Sequence, residues 1–236
     1  MANKLHNFVN GKAVASNTQR WGEVYDPARG SVTRLVPMST AKDVDIAVAA
    51  AKAAFTGWSA TPAVRRANVL FELKALLERH LDELAALLTA EHGKVLGDAR
   101  GSIARGMEVV EFACGIPQLL KGEYTEQVGR GIDSWSSRQP LGVCAAVGPF
   151  NFPAMIPLWT APIAIACGNT VVMKPSERVP STALRLAELW QRAGLPDGVY
   201  NIVNGDKEVV DAFIEHPDIA ALSLVGSTPT ASSVYR

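Results

Sequence analysis

Apolar positions recur with helical spacing along the first half of the chain and in short buried runs along the second. Val44, Ala47, Val48, Ala51 and Phe55 share one helical face, and Thr40 with Asp43 marks the start of that helix. A hydroxyl and a carboxylate three residues apart satisfy each other's free backbone donors. Thr61-Pro62 opens a second helix, with proline in the first turn where no donor is lost. Leu70, Leu73, Leu77, Leu81, Leu84 and Leu88 carry its apolar stripe, and Gly93 ends it. A third helix is predicted from about Asp98 to Leu120, with Ile103, Met107, Val110 and Cys114 on one side. Ahead of these, residues 7–14 predict a hairpin around Asn10-Gly11. Asp26-Pro27 and Gly30 mark a turn before a strand over Ser31–Val36.

Residues 123–138 are polar, alternate in character and contain Trp135; they predict a strand pair that leaves the helical layer. The pattern then becomes a strict alternation. Strands are predicted at Val143–Val147, Thr170–Met173, Val199–Val203 and Ala220–Val225. Between them, helices are predicted at Pro153–Cys167, Pro180–Ala193 and Lys207–Glu215. Such alternation implies an α/β fold: an open parallel sheet with helices on both faces, preceded here by N-terminal strands and a helical layer. The organisation expected is 1–122 for that layer, 123–138 for the protruding strands and 139–236 for the sheet core. The last strand is followed by about one turn of helix after Gly226-Ser227, so the sheet is expected to be incomplete.

Composition narrows the function classes. The chain has 236 residues, 48% of them hydrophobic, with 23 basic and 23 acidic side chains. A balanced charge without a basic tract gives no sign of a nucleic-acid partner. No charged residue occurs from Pro140 to Met173, but Pro149, Pro153, Pro157 and Pro162 interrupt that run. A core with turns is expected there, with no membrane partner. Cys114, Cys144 and Cys167 are odd in number and widely spaced. That argues against a disulfide framework or a metal site and suits a reducing, cytoplasmic location. The N-terminus has no apolar signal core.

In open parallel sheets, ligands bind beyond the carboxyl ends of the strands. Those ends are Gly148-Pro-Phe-Asn-Phe-Pro153, Lys174-Pro-Ser-Glu177, Asn204-Gly205 and Gly226-Ser-Thr228. Asn151 either donates to a developing oxyanion or serves as a turn or cap residue. Lys174 and Glu177 either grip a nucleotide ribose or form a solvated pair. Gly226 and Ser227 open a helix whose N-terminus suits a pyrophosphate, although no Gly-x-Gly-x-x-Gly fingerprint occurs. Arg105 either clamps a carboxylate or is an exposed helix arginine. The three cysteines lie in apolar settings where thiols are inert. His6, His80, His92 and His216 form no triad or metal spacing and are expected at the surface.

These strand ends resemble the aldehyde dehydrogenase superfamily. Glu91-His-Gly-Lys94, Pro140-Leu-Gly-Val143, Pro149-Phe-Asn-Phe-Pro153, Gly168-Asn-Thr170, Lys174-Pro-Ser-Glu177, Gly194-Leu-Pro-x-Gly198 and Val225-Gly-Ser227 occur in family order. Within it, Gly148 to Trp159, Arg105 to Glu111 and Lys174 to Pro180 are similar to the methylmalonate-semialdehyde type, with Phe150 where many members carry Trp. Ala231 departs from the Gly usual there.

The resemblance implies a Rossmann-like NAD-binding core. Gly148, Phe150, Lys174, Glu177, Arg178, Gly226 and Ser227 would line the NAD site. The anionic Glu177 on the ribose hydroxyls would favour NAD over NADP. Asn151 would hold the thiohemiacetal oxyanion, and Arg105 the carboxylate of a small semialdehyde. The implied reaction oxidises methylmalonate or malonate semialdehyde and transfers the decarboxylated acyl group to CoA as co-substrate. The resemblance also places the nucleophilic cysteine in a catalytic domain outside this chain, so the chain alone is expected to be inactive. Residues 123–138 would be oligomerisation strands, with a homo-oligomer expected for the full-length parent. A hydrolytic aldehyde dehydrogenase and a stand-alone nucleotide-binding module are the alternatives.

Overall fold

The computed structural model describes residues 3–235. Short strands lead the chain: β1 (Asn3–Lys4), β2 (Asn7–Val9), β3 (Lys12–Val14), β4 (Trp21–Asp26) and β5 (Ser31–Pro37). Asn10 and Gly11 sit at φ 51° and 74°, the left-handed region that a two-residue hairpin loop demands, and Val9 pairs with Lys12 across it. β5 pairs antiparallel with β4 and parallel with β1 in a separate three-stranded sheet.

The helical layer follows: α1 (Ala41–Ala60), α2 (Ala63–Arg79), α3 (Leu81–His92), α4 (Leu96–Cys114) and α5 (Ile116–Leu119). Thr40 and Asp43 close the capping box at the start of α1, as predicted. Two predicted helices are each broken once. The leucine stripe expected on one helix is divided between α2 and α3 at His80, whose φ of −105° and ψ of 11° leave the helical region. The break lets α3 set its Glu83 against Arg185, a 2.6 Å ion pair. The helix expected to reach Leu120 ends at Cys114 because Pro117 has no N–H to donate and its ring opposes the preceding turn.

The hairpin β6 (Tyr124–Gly129) and β7 (Ile132–Trp135) forms a two-stranded sheet of its own, with largely exposed side chains. The alternating part is then β8 (Val143–Val147), α6 (Met155–Ala166), β9 (Thr170–Lys174), α7 (Ser181–Arg192), β10 (Tyr200–Ile202), α8 (Lys207–Glu215), β11 (Ile219–Leu224) and α9 (Thr228–Tyr235). The sheet order is β11-β8-β9-β10-β2-β3. β8, β9, β10 and β11 are mutually parallel, but β2 joins β10 antiparallel, with Ile202 opposite Phe8. The sheet is therefore mixed rather than wholly parallel. The N-terminal hairpin extends it, and buried amides fasten the join: Asn7 Oδ1 accepts from the Asn204 N–H at 2.8 Å, and Asn7 Nδ2 donates to Ser39 Oγ at 3.0 Å.

The two-residue strand period sorts the core onto two faces. Val143, Ala145, Val147 and Val172 point to the side covered by α1 and α8, where Val44, Val48, Val209 and Phe213 are buried. Ala146, Val171, Met173 and Ile202 point to the other side, against α6 and α7 and the leucines of α2 and α3. α4 lies close on α6: a Cβ at Gly106 would stand 2.8 Å from Leu158 Cδ1. Among the described residues, no helix is long and apolar enough to cross a membrane. The uncharged run from Pro140 to Met173 is instead divided among β8, a loop, α6 and β9.

Candidate functional site

β8, β9 and β11 end side by side, and a cleft of about 770 Å³ opens beyond their carboxyl ends. A parallel sheet delivers successive loops to one edge, which is why residues distant in sequence converge there. Gly148, Phe150, Lys174, Glu177, Arg178, Gly226 and Ser227 all line this cleft. Asp206, Lys207, Val210 and Asp211 line it too and were not anticipated. Asp206 carried one local signal, a carboxylate before an apolar helix: it caps α8 by accepting from the Glu208 N–H at 3.2 Å.

Lys174 is buried at the end of β9, and Glu177 stands half-exposed one turn later. The Lys174 ammonium donates to the carbonyls of Pro175 at 2.9 Å and Gly205 at 2.8 Å and lies 3.5 Å from Glu177 Oε2. The ammonium thus bonds two strand-end loops and stands beside one carboxylate. Burial lowers the Lys174 pKa, and the charges of Glu177 and Asp206 oppose that shift. The pair is not a freely solvated surface contact. Lys174 ties the ends of β9 and β10 together and stands beside Glu177, and both residues line the cleft.

Gly148 donates its N–H to the Lys174 carbonyl at 2.9 Å, and a Cβ there would meet Met173 Cε at 2.7 Å. A side chain there would have to displace that methyl, while the nearest backbone atom, the Lys174 carbonyl oxygen, lies at 3.8 Å. Phe150 is 41% exposed, with the Arg178 guanidinium 6.0 Å from its ring centroid. At the far wall, Ser227 Oγ lies 3.0 Å from Thr230 Oγ1, and the Ser227 carbonyl accepts from the Ala231 N–H at 2.9 Å. Ser227 thereby opens α9, and Gly226, Ser227 and Thr230 line the cleft.

Asn151 follows Phe150 but is not part of the lining; it is exposed on the loop before α6. It does not cap that helix, whose N-terminal flank is Ala154 without a side-chain cap. Arg105 lies apart on the outer face of α4, with 68% of its side chain exposed and Glu108 at 3.0 Å. The Arg105 carbonyl accepts from Trp159 Nε1 at 3.3 Å, which ties this turn of α4 to α6.

His6 is exposed, and His80 and His216 are partly exposed, with surface partners such as Glu83 for His80. His92 departs from the surface expectation. The His92 ring stacks on Phe150 with centroids 4.6 Å apart, and both of its nitrogens are shielded without a partner among the described residues. Burial, reinforced by the charge on Lys94, lowers its pKa. The sequence hid this contact because its partner lies far along the chain. Burial raises the pKa of all three thiols, at Cys114, Cys144 and Cys167, so thiolate formation is disfavoured at each. Among the described residues, no three His, Cys, Asp or Glu side chains gather as a metal site.

Comparison with known proteins places this geometry in context. The model for the aldehyde dehydrogenase family matches residues 13–236. A malonate-semialdehyde dehydrogenase of Pseudomonas aeruginosa is 51% identical over 231 residues, covering 98% of this chain and 46% of the relative. A Sinorhizobium meliloti structure, assigned as a methylmalonate-semialdehyde dehydrogenase and complexed with NAD, superposes with a TM-score of 0.98 at 51% identity. It covers 100% of this chain and 48% of that one. The methylmalonate-semialdehyde dehydrogenase of Oceanimonas doudoroffii superposes at 0.97 with 50% identity over 100% of this chain and 48% of its own. The chain spans about half the length of the curated relatives it matches.

Proposed function

The chain belongs to the aldehyde dehydrogenase family, and from that premise we propose that it forms the NAD-binding part of a CoA-acylating methylmalonate- or malonate-semialdehyde dehydrogenase. The observation that carries this reading is the convergence of Gly148, Lys174, Glu177 and Ser227 on one cleft at the carboxyl edge of the sheet. The relatives named for these substrates share half of its residues along its whole length.

The cleft suits a dinucleotide. Its volume of about 770 Å³ lies within the usual span of small-molecule sites. The Glu177 carboxylate, with Lys174 beside it, offers free lone pairs to a ribose diol and repels a 2′-phosphate. Gly226 and Ser227, just ahead of α9, offer their backbone N–H groups to the pyrophosphate. Phe150 and Arg178 wall the remaining side. When bound, NAD supplies the hydride acceptor.

The chain's own residues prepare the aldehyde. The Asn151 amide donates to the oxyanion that develops on the carbonyl oxygen, a charge that is costly without a donor. Arg105 takes the carboxylate of the semialdehyde in exchange for Glu108. That exchange costs little, because an exposed ion pair contributes at most about 1 kcal/mol. The three thiols of this chain, each with a raised pKa, are not the nucleophile; that group lies in the part of the full-length protein this chain does not span. We further propose β6–β7 as the oligomerisation strands of a homo-oligomer.

The test follows NADH formation by the full-length protein. Methylmalonate semialdehyde should be oxidised with NAD in preference to NADP. Arg105→Leu should raise KM for the semialdehyde by about tenfold or more and leave an uncharged aldehyde such as propanal unaffected. Equal losses on both aldehydes would remove Arg105 from the substrate site, and absence of NADH would remove the reaction itself.

A further inference from the structure

Among the described residues, the Asn151 side-chain amide makes no hydrogen bond, so its aim depends on its backbone. The flanks of that backbone are fixed. The Gly148 N–H donates to the Lys174 carbonyl, and the Phe152 carbonyl accepts from the Ile156 N–H at 3.2 Å. Between them, no backbone–backbone hydrogen bond engages residues 149–151 among the described residues. The middle is held from another element. Lys94 Nζ donates to the Asn151 carbonyl at 3.0 Å, and its ammonium stands 4.7 Å from the centroid of the Phe152 ring. Two residues earlier, His92 stacks on Phe150 with an interplanar angle of 20°.

The base of this grip is rigid. Glu91 is buried, pairs with Arg34 at 3.1 Å, and accepts from the Ser181 N–H at 3.0 Å and from the Ser181 hydroxyl. Gly93 then turns the chain at φ 85°, with Pro27 Cγ 2.7 Å from where a Cβ would stand. Lys94 therefore leaves a fixed turn rather than a loose one. An ammonium on a carbonyl is a charge-assisted bond, stronger than a neutral one. Burial lowers the Lys94 pKa, as befits a cation drawn partly out of water, and Asp98 opposes the shift.

We infer that Lys94 is a positioning residue for the aldehyde reaction. By holding the Asn151 carbonyl it fixes the Asn151–Phe152 peptide plane, and so the direction in which the Asn151 amide points. The role rests on the proposed use of Asn151 as oxyanion donor, and Lys94 itself touches no reacting atom.

The experiment uses the full-length protein and a set of variants. Lys94→Met keeps the aliphatic stem and removes the donor; Lys94→Arg restores one; Lys94→Gln stands in if the Met variant does not fold. Lys94→Met should lower kcat about tenfold with KM for NAD within about twofold, because a small misalignment weakens transition-state contacts more than ground-state binding. Lys94→Arg should recover most of that loss. Amide hydrogen exchange over residues 149–153 should quicken in Lys94→Met and return to normal in Lys94→Arg. In an Asn151→Ala background, itself slower by about a hundredfold, Lys94→Met should add no further loss, because the group it aims is gone. Losses that multiply, or a wild-type kcat in Lys94→Met beside a crippled Asn151→Ala, would overturn the positioning role and leave the oxyanion reading intact. A wild-type kcat in Asn151→Ala would instead remove the oxyanion reading, and the role of Lys94 with it.

Discussion

The Glu91 carboxylate accepts hydrogen bonds from both the backbone N–H and the hydroxyl of Ser181, joining the end of α3 to the first turn of α7. The same carboxylate pairs with Arg34 of β5. One buried acid thus ties the helical layer, the small N-terminal sheet and the sheet core together.

The Glu91 tie carries a pH signature. Burial raises its pKa, while the Ser181 bonds and Arg34 pull the other way. A carboxyl raised above its unfolded value favours the protonated form in the folded state. Its stabilising contribution is complete below the ordinary carboxylate range and is lost as pH rises through the raised folded value. Glu91→Gln lacks this titration. The stability gap between wild type and Glu91→Gln, measured by denaturant unfolding at several pH values, should narrow as pH rises. A gap that widens with pH would contradict the assignment.

Lys174 should matter to both stability and cofactor binding. Lys174→Met leaves the carbonyls of Pro175 and Gly205 without their donor and frees Glu177 from its partner. A loss of about 1–3 kcal/mol in unfolding free energy is expected for buried groups left unpaired. Calorimetric titration of NAD into the full-length variant should show about tenfold weaker binding, as for loss of one ordered charged contact. Unchanged NAD affinity would take the Lys174–Glu177 pair out of the cofactor site.

The turn at Gly93 should be intolerant of substitution. Gly93→Ala places a Cβ against Pro27 and holds a non-glycine residue at a left-handed angle, which costs about 1–2 kcal/mol before any clash. Denaturant midpoints should fall accordingly, and kcat should fall with the displacement of Lys94. A variant as stable and active as wild type would show that the turn is soft.

The three thiols should be dispensable for chemistry. Cys114→Ala, Cys144→Ala and Cys167→Ala, combined in the full-length protein, should keep kcat within about twofold, since thiols whose pKa is raised by desolvation stay protonated and make poor nucleophiles. A folded triple variant without turnover would place the nucleophile in this chain.

Much of this architecture is legible in the sequence. Thr40 with Asp43, Asn10-Gly11, and the alternation from β8 to β11 are local or periodic signals, and each gave its element at nearly the right bounds. What stayed hidden depended on partners far along the chain. The leucine stripe runs on through His80, so nothing in its period marks the break between α2 and α3. β4 is half-exposed and only weakly alternating, and it passed unnoticed. The hairpin was predicted, but its docking on β10 pairs Phe8 with Ile202 and leaves no mark on either segment alone. At the cleft, glycines and charges at strand ends were readable because the sheet's direction fixes where ligands gather. The grip of His92 and Lys94 on the Asn151 loop was not, since a histidine and a lysine beside a helix-ending glycine look like solvated residues.

The decisive measurement is product analysis on the full-length protein supplied with methylmalonate semialdehyde, NAD and CoA. NADH and propionyl-CoA should form in equal amounts, with little free acid. NADH accompanied by free acid and no acyl-CoA would assign a hydrolytic aldehyde dehydrogenase, and the absence of NADH would contradict the proposed reaction altogether.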